Sequence, residues 1–481
     1  MKKLLACLSV IFIVVSCSDN KAPEPYGPLP SERQLTWHEL EYYMFVHFTV
    51  NTFTDKEWGY GDEPETVFDP TDLDCRQWAR VARDAGMKGI IITAKHHDGF
   101  CLWPSAFTEH SVKNSEWKAG KGDVILDLMN ACNEFGLKLG IYLSPWDRNS
   151  AVYGTPEYLK YYRNQLNELL VNYGDIFEVW FDGANGGDGY YGGARETRRI
   201  DNRTYYDWPT TINIVRELQP EAVMFSDAGP DVRWVGNESG RGSSTNWCLL
   251  NRDEMYPGGN FSKILGTGQE DGRYWVPAEV NTSIRPGWFY HQEQDSMVKT
   301  PEKLMEIYYS SVGNGGNFLL NIPPDRRGLL NEIDVESLMK FKELREKEFA
   351  VELAKGKKTS ASSTRGRKFG AHNVNDGDPD TYWTPQAELL SASVTIDLGT
   401  ETEVNRILIQ EYINMGQRIK KFTVESFSDG SWTNISEGTT IGHKIIRKFP
   451  VVKCSKIRLT IDDALACPLI SNIELYRAPG E

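Results

Sequence analysis

Positive charge is in short supply in this chain: 53 lysines and arginines stand against 67 aspartates and glutamates, a formal net charge of −14. Binding to a phosphate backbone needs a basic face, so nucleic acid is excluded as a partner. Cysteine signals are equally thin. Beyond Cys7 and Cys17, residues Cys75, Cys101, Cys132, Cys248, Cys454 and Cys467 form no CxxC pair and keep no regular spacing. Neither a zinc site nor a disulfide scaffold is indicated. Cys454 and Cys467 are candidates for a pair, with buried free thiols the alternative. The apolar run at residues 4–15 is too short for a membrane span with flanks. What is present, 481 residues with 40% hydrophobic and 25% charged content, describes a soluble globular chain of two or three domains. Aromatics are plentiful, with 14 Trp and 22 Tyr. Such rings stack on the C–H faces of sugars, and they also suit a large aromatic core.

The N-terminus has the form of an export signal. Lys2 and Lys3 precede the apolar run. Val14-Val15-Ser16-Cys17 resembles the bacterial lipobox, which implies cleavage before Cys17 and lipidation of that residue. Residues 1–16 then form a lipoprotein signal peptide and 17–32 a polar, Pro-containing tether. The expected location is exported and membrane-anchored through the lipid, facing the periplasm or the cell surface.

From residue 33 to 354 the pattern alternates strand and helix. Strands are expected at 44–50, 89–94, 137–143, 176–181, 222–226, 275–280 and 317–322. Helices are expected at 73–87, 124–135, 156–173, 210–218, 303–312 and 333–350. Alternation of this kind implies a parallel sheet, and seven or so units over roughly 300 residues suggest a (β/α)8-like, TIM-type barrel. Eight clean pairs cannot be counted, so an incomplete or distorted barrel is expected. After residue 355 the character changes. Ser, Thr and Gly become frequent and short alternating runs replace helices, which reads as an all-β antiparallel sandwich of the jelly-roll kind over 355–481.

Four polar clusters fall at expected strand ends. His47 ends the first strand, and Lys95-His96-His97-Asp98-Gly99-Phe100 follows the second. Asp182 closes the apolar run Ile176-Phe177-Glu178-Val179-Trp180-Phe181 before a Gly-rich loop. The fifth strand leads to Arg233-Trp234-Val235-Gly236-Asn237-Glu238. A lone strand-end His or Asp is more often structural, but four in consecutive units of a parallel barrel converge on one rim. A retaining glycosidase needs two carboxyls about 5–5.5 Å apart, one a nucleophile and one an acid/base. Asp182, short and on a rigid strand, suits the nucleophile. Glu238, on a loop with longer reach, suits the acid/base.

At this point the residues resemble a known family. Val179-Trp180-Phe181-Asp182-Gly183, the Lys95–Phe100 motif, Ser283-Ile284-Arg285-Pro286-Gly287-Trp288-Phe289-Tyr290 and Gly313-Asn314-Gly315-Gly316-Asn317-Phe318-Leu319-Leu320-Asn321 resemble the α-L-fucosidases of glycoside hydrolase family 29. The resemblance implies a retaining mechanism through a covalent fucosyl-enzyme, with Asp182 as nucleophile. It implies fucose-binding roles for His47, Glu57, Trp58, His96, His97, Tyr142, Trp180 and Trp288. The Arg233–Glu238 stretch resembles the branch that prefers α1,3/α1,4-linked, Lewis-type fucose, which makes Glu238 the acid/base. Glu279, in Pro277-Ala278-Glu279-Val280-Asn281, is the rival and is otherwise a structural or aglycone-side acid. Residues 357–477 resemble the discoidin-like (factor 5/8 C-type) modules of carbohydrate-binding module family 32, through Ala371–Trp383, Ile396-Asp397-Leu398-Gly399 and Ile457-Arg458-Leu459. Relatives often hold a structural Ca²⁺ near the Asp-rich loop at 376–380; the alternative is a metal-free turn closed by Asp side chains. No cofactor is expected for the barrel reaction.

The implied substrate is a fucosylated oligosaccharide or glycoconjugate. Two other functions compete. A metal-dependent hydrolase would use His47, His96, His97 and Asp182 as ligands. Adjacent His residues on an extended segment point to opposite sides, so that reading needs a turn at His96-His97. A non-catalytic glycan-binding lipoprotein would bind sugar without releasing fucose.

Overall fold

The computed structural model describes residues 21–479; the signal, the lipobox and Cys17 lie outside them. Eight parallel strands close a barrel in the order of the chain. They are β1 (Tyr42–Val46), β2 (Gly89–Lys95), β3 (Lys138–Leu143), β4 (Ile176–Trp180), β5 (Val223–Ser226), β6 (Val232–Trp234), β7 (Ala278–Ser283) and β8 (Asn317–Asn321). Helices Cys75–Asp84, Val124–Phe135, Pro156–Asn172, Trp208–Leu218, Pro301–Ser311 and Glu332–Glu348 pack outside. Their starts follow local chemistry: Asp74, Asp123 and Thr300 accept hydrogen bonds from the first-turn amides of the helices they precede.

The barrel is thus closed rather than incomplete. The strand missing from the sequence reading is β6, three residues long and joined to β5 by residues 227–231 alone. A parallel crossover ordinarily takes a dozen residues and a helix, so nothing in the pattern announces this one. Asp231 makes the short return possible. It accepts from the Met224 amide at 2.8 Å, and Arg216 and Arg33 pair with its carboxylate. Two other expectations are corrected. Strand β1 stops at Val46, because Thr49 caps the helix Val50–Thr54. The expected strand at 275–280 is broken at Pro277: Tyr274–Trp275 pairs with Leu249–Leu250 outside the barrel, and the barrel strand proper starts at Ala278.

Period-two alternation sorts the barrel side chains into an outer set packed against helices and an inner set stacked in layers. On β1 the inner residues are Tyr43 and Phe45, followed by His47 past the strand end. On β4 they are Glu178 and Trp180, followed by Asp182. Tyr43, Phe45, Tyr142, Trp180, Val223, Phe225, Val232 and Leu319 form the inner apolar cluster, closed from below by Trp37 and Leu40.

The C-terminal domain is antiparallel throughout, with β9 (Lys358–Ala361), β10 (Ala392–Glu411), β11 (Ile419–Ser428), β12 (Ser431–Gly438), β13 (Ile445–Ala464) and β14 (Ile470–Tyr476) in the order β9-β10-β13-β11-β12, and β14 on β10. β10 and β13 are single 20-residue strands where shorter ones were expected. Their pairing is interrupted by register shifts at Asp397/Thr402 and Val404/Arg406, bulges that bend the sheet around one core. The domain packs on the barrel through Gly313 and Asn314: the Ile446 amide and the Arg447 guanidinium donate to the Gly313 carbonyl at 3.0 and 2.8 Å. All six cysteines among the described residues are free thiols, so Cys454 and Cys467 do not pair.

Candidate active site

One pocket opens at the C-terminal end of the barrel, where β-strand carbonyl ends and βα loops meet. It is lined by Phe45, His47, Trp58, His96, His97, Tyr142, Trp180, Asp182, Ala184, Glu238, Asn281 and Trp288. Its volume, about 270 Å³, lies below the roughly 300–1,000 Å³ of sites for drug-sized ligands and suits one sugar ring. Every residue predicted for the site is here except Glu57.

Asp182 stands two residues past β4, and donors hold both its oxygens. Tyr142 Oη donates to Oδ2 at 3.0 Å and the Ala184 amide to Oδ1 at 2.7 Å. Gly183 has no room for a Cβ, because the Asp227 carboxylate lies against it. Burial, and then the Asp182 charge, push the Tyr142 hydroxyl well above its ordinary range, so it remains a donor.

The histidines are fixed by their far sides. His96 and His97 both face the pocket, with ring centroids 4.1 Å apart. Strand β2 has ended at Lys95, and a turn closed by the Gly99 amide on the His96 carbonyl rotates the second ring inward. His97 Nδ1 lies 2.7 Å from Ser144 Oγ, whose own hydrogen goes to the Trp146 carbonyl. Nδ1 is therefore the donor, and Nε2, 3.9 Å from Asp182 Oδ2, carries a lone pair. His47 is set the same way. Both Asn321 amide hydrogens go to Ser283 Oγ and the Trp288 carbonyl, so Asn321 Oδ1 accepts from His47 Nδ1 at 2.8 Å. Burial pulls the pKa of His47 down to about 3 and that of His97 to about 4, and lowers His96 well below its usual value. Around neutral pH the three rings are uncharged, and His47 and His97 keep Nε2 as a hydrogen-bond acceptor.

Glu238 lies on the loop after β6 and accepts from Trp288 Nε1 at 3.2 Å. Although its outer edge is exposed, packing on its inner side desolvates the carboxyl. Together with the Asp182 and Glu57 charges, this outweighs the Trp288 bond and raises its pKa. Glu57 does not line the pocket. Its oxygens accept from the Trp288 and Phe289 amides and meet His291 Nε2 at 2.7 Å, so it anchors the loop that carries Trp288. Trp58, 53% exposed, forms an outer wall against the His97 and Trp146 rings. Glu279, fully buried, sits one layer below and bonds to Trp180 and Tyr43.

Sequence reasoning did not single out Phe45, Ala184 and Asn281 as lining residues, nor Ser144, Ser283 and Asn321 as orienters. The inner-face period carries their signal: Phe45 lies two residues before His47, Asn281 and Ser283 two and four after Glu279, Ser144 two after Tyr142, and Asn321 two after Leu319. The Gly313–Gly316 motif lies at the contact with the C-terminal domain, away from the pocket. Among the described residues one His/Cys/Asp/Glu group has converging ligand atoms, Asp55, His291 and Glu293, on the outer loops. His47, His96, His97 and Asp182 do not converge as a ligand set.

The chain is similar to known proteins over nearly its whole length. The family described as "Alpha-L-fucosidase" matches residues 31–344, and the "F5/8 type C domain" matches residues 358–472. Alpha-L-fucosidase 1 of Arabidopsis thaliana is 43% identical over 461 residues, covering 94% of this chain and 88% of the relative. A glycoside hydrolase 29 family member from an unknown rumen bacterium is 48% identical with a TM-score of 0.86, over 95% of this chain and 79% of that one. A Ruminococcus gnavus GH29 fucosidase solved in complex with fucose is 32% identical with a TM-score of 0.86, over 95% and 96%. On this evidence the chain belongs to glycoside hydrolase family 29 and is an α-L-fucosidase with an F5/8 type C domain behind its barrel.

Proposed function

We propose that the chain is an exported, retaining exo-α-L-fucosidase that removes terminal fucose by double displacement, with Asp182 as nucleophile and Glu238 as acid/base. The observation that carries this reading is that two carboxyls of opposite character line one monosaccharide-sized pocket. Asp182 is clamped by donors, whereas Glu238 is held by a single indole N–H with its proton affinity raised. In the first step Asp182 attacks the anomeric carbon while Glu238 protonates the departing glycosidic oxygen. In the second, Glu238 takes a proton from water, which displaces Asp182 and restores the anomeric configuration. His47 and His97 accept hydrogen bonds from ring hydroxyls, and Trp58 and Trp288 supply apolar walls. Glu279 is buried with both oxygens engaged, which leaves Glu238 as the acid that meets the glycosidic oxygen.

The test is a slow fluorinated fucosyl substrate followed by peptide mapping. A covalent label on the peptide holding Asp182, with α-L-fucose as the first product by NMR, supports the reading. β-L-Fucose as first product, or a label elsewhere, overturns it. The Arg233–Glu238 motif supports α1,3/α1,4-linked substrates, and release from a panel that also contains α1,2- and α1,6-linked glycans tests this. The lipobox supports anchoring at Cys17, tested by labelled-palmitate incorporation into the wild type but not into Cys17→Ser. In the loop at 376–380, Asp376 and Asp378 accept from the Asp378 and Asp380 amides and from Thr381 Oγ1. We read it as a turn closed by its own side chains. Calcium or chelator should then leave the melting temperature unchanged, and a shift of several degrees with calcium would restore the metal-bound alternative.

A further inference from the structure

Two glutamates are sealed inside the barrel one layer beneath the pocket. Glu178 on β4 and Glu279 on β7 are both fully buried. The partners of their oxygens are uncharged. Trp37 Nε1 donates to Glu178 Oε2 at 3.0 Å, Trp180 Nε1 to Glu279 Oε1 at 2.8 Å, and Tyr43 Oη to Glu279 Oε2. Glu178 Oε1 meets no N–H or O–H donor. A buried acid oxygen in that position is satisfied when the group carries its own proton, and the two carboxyls lie close enough to hydrogen-bond to each other. Burial and the neighbouring Glu279 charge raise Glu178 well above the carboxylate range. Burial raises Glu279 less, because Glu178, Trp180 and Tyr43 all bond to its ionised form. The donors divide the pair: an N–H and an O–H, one on each oxygen, favour the ionised form of Glu279, whereas Glu178 has a single donor and a bare oxygen and favours the protonated form.

The layer geometry gives that charge a target. Glu178, Trp180 and Asp182 share one face of β4 and its extension, so the pair lies about two residue pairs, roughly 13 Å, below the nucleophile's position along the strand. Trp180 bridges the gap. Its indole is stacked on Phe225 at 4.0 Å and 7° and on Tyr142 at 5.3 Å and 27°, it lines the pocket, and its N–H points down to Glu279. Glycoside cleavage passes through an oxocarbenium-like state in which the sugar ring becomes positive. We propose that the Glu178–Glu279 pair is a built-in counter-charge for that state, acting from beneath the pocket through the hydrogen-bonded Trp180. Glu279 is then a positioning residue, touching Trp180 and not the sugar. In a dry interior a fixed charge needs no reorganisation when the substrate charge develops. One unit charge on the order of 10 Å away, at interior screening, is worth about ten- to twentyfold in binding a cation.

The inference rests on the pocket being the fucose site, and the experiment separates the two. An L-fuco-configured iminosugar, cationic at neutral pH, and neutral L-fucose are titrated calorimetrically against the full chain. Failure of wild type to bind either ligand would sink the pocket assignment itself. With wild type binding both, Glu279→Gln keeps an acceptor for Trp180 and removes the charge. It should weaken the iminosugar about ten- to twentyfold and leave L-fucose within about twofold. Glu178→Gln mimics the protonated acid and should keep the wild-type preference. Equal loss for both ligands in Glu279→Gln, which marks a purely structural role, or no loss for either, overturns the proposal. If Glu279→Gln does not fold, Glu279→Asp, which keeps the charge, and Glu178→Gln decide the matter: both must retain the iminosugar preference, and its collapse in either overturns the assignment of the charge to Glu279.

Discussion

Replacing Tyr142 with Phe removes one hydroxyl from the site and little else, since the ring stays stacked between Trp180 and the His96 imidazole. The lost group is the donor to Asp182 Oδ2 at 3.0 Å, while the Ala184 amide still holds Oδ1. A hydrogen bond to a charged group contributes about 1.5–3 kcal/mol. Under the proposed double displacement its effect on the two chemical steps differs in sign. As Asp182 attacks, its charge is consumed and the donor is needed less. As the fucosyl-enzyme breaks down, the charge returns and the donor is needed more. With about half the charge restored in that transition state, the loss is about 0.7–1.5 kcal/mol, or about three- to twelvefold in rate. The assay uses an activated aryl fucoside, whose leaving group needs no proton. For Tyr142→Phe, kcat should fall about three- to twelvefold while kcat/KM rises by up to a similar factor, and a burst of the aryl alcohol should mark the accumulating intermediate. A fall confined to kcat/KM, with kcat intact and no burst, would refute the placement of this hydroxyl on the departing carboxylate.

Other outcomes follow from the same geometry. Glu238→Gln should lower turnover of disaccharides about 10²–10⁴-fold and of activated aryl fucosides far less. It should also remove the limb of the kcat/KM profile that falls as pH rises, because Glu238 works as an acid only below its raised pKa and the neutral histidines do not titrate there; a retained limb would point to another acid. Asn321→Ala frees the His47 ring and the Trp288 carbonyl, and fucose affinity should drop about tenfold; unchanged calorimetric affinity would show that the ring needs no orienter. Lys95→Met strands Asp147, both side chains being fully buried and 3.0 Å apart, at a cost of about 3–5 kcal/mol in urea unfolding. The double variant Lys95→Met/Asp147→Leu should recover most of this, and an unshifted midpoint in the single variant would contradict the pairing.

Much of the molecule was legible because barrel chemistry is local. The run from Ile176 to Phe181 declares a buried strand, and an acid following it in a parallel barrel must stand at the rim. The histidines, Trp288 and Glu238 were found through short motifs that keep their order along the chain. What escaped was set by closure of the barrel. β6 has too few residues to show a period, and its return depends on Asp231 meeting Met224, Arg216 and Arg33 from distant segments. Where Glu57 stands also escaped, because a motif does not distinguish a pocket wall from the support behind it; its partners, Trp288, Phe289 and His291, are more than 200 residues away. The same holds for protonation. By sequence alone the chain determined an α/β barrel with an all-β module behind it, an acid at the end of β4 and the residue types of a sugar site, since these follow from period, spacing and strand ends. Only the tertiary structure decided which tautomers His47 and His97 hold, which acid lines the pocket and which lies sealed beneath it, because burial and hydrogen-bond partners are properties of the closed barrel and not of any one strand.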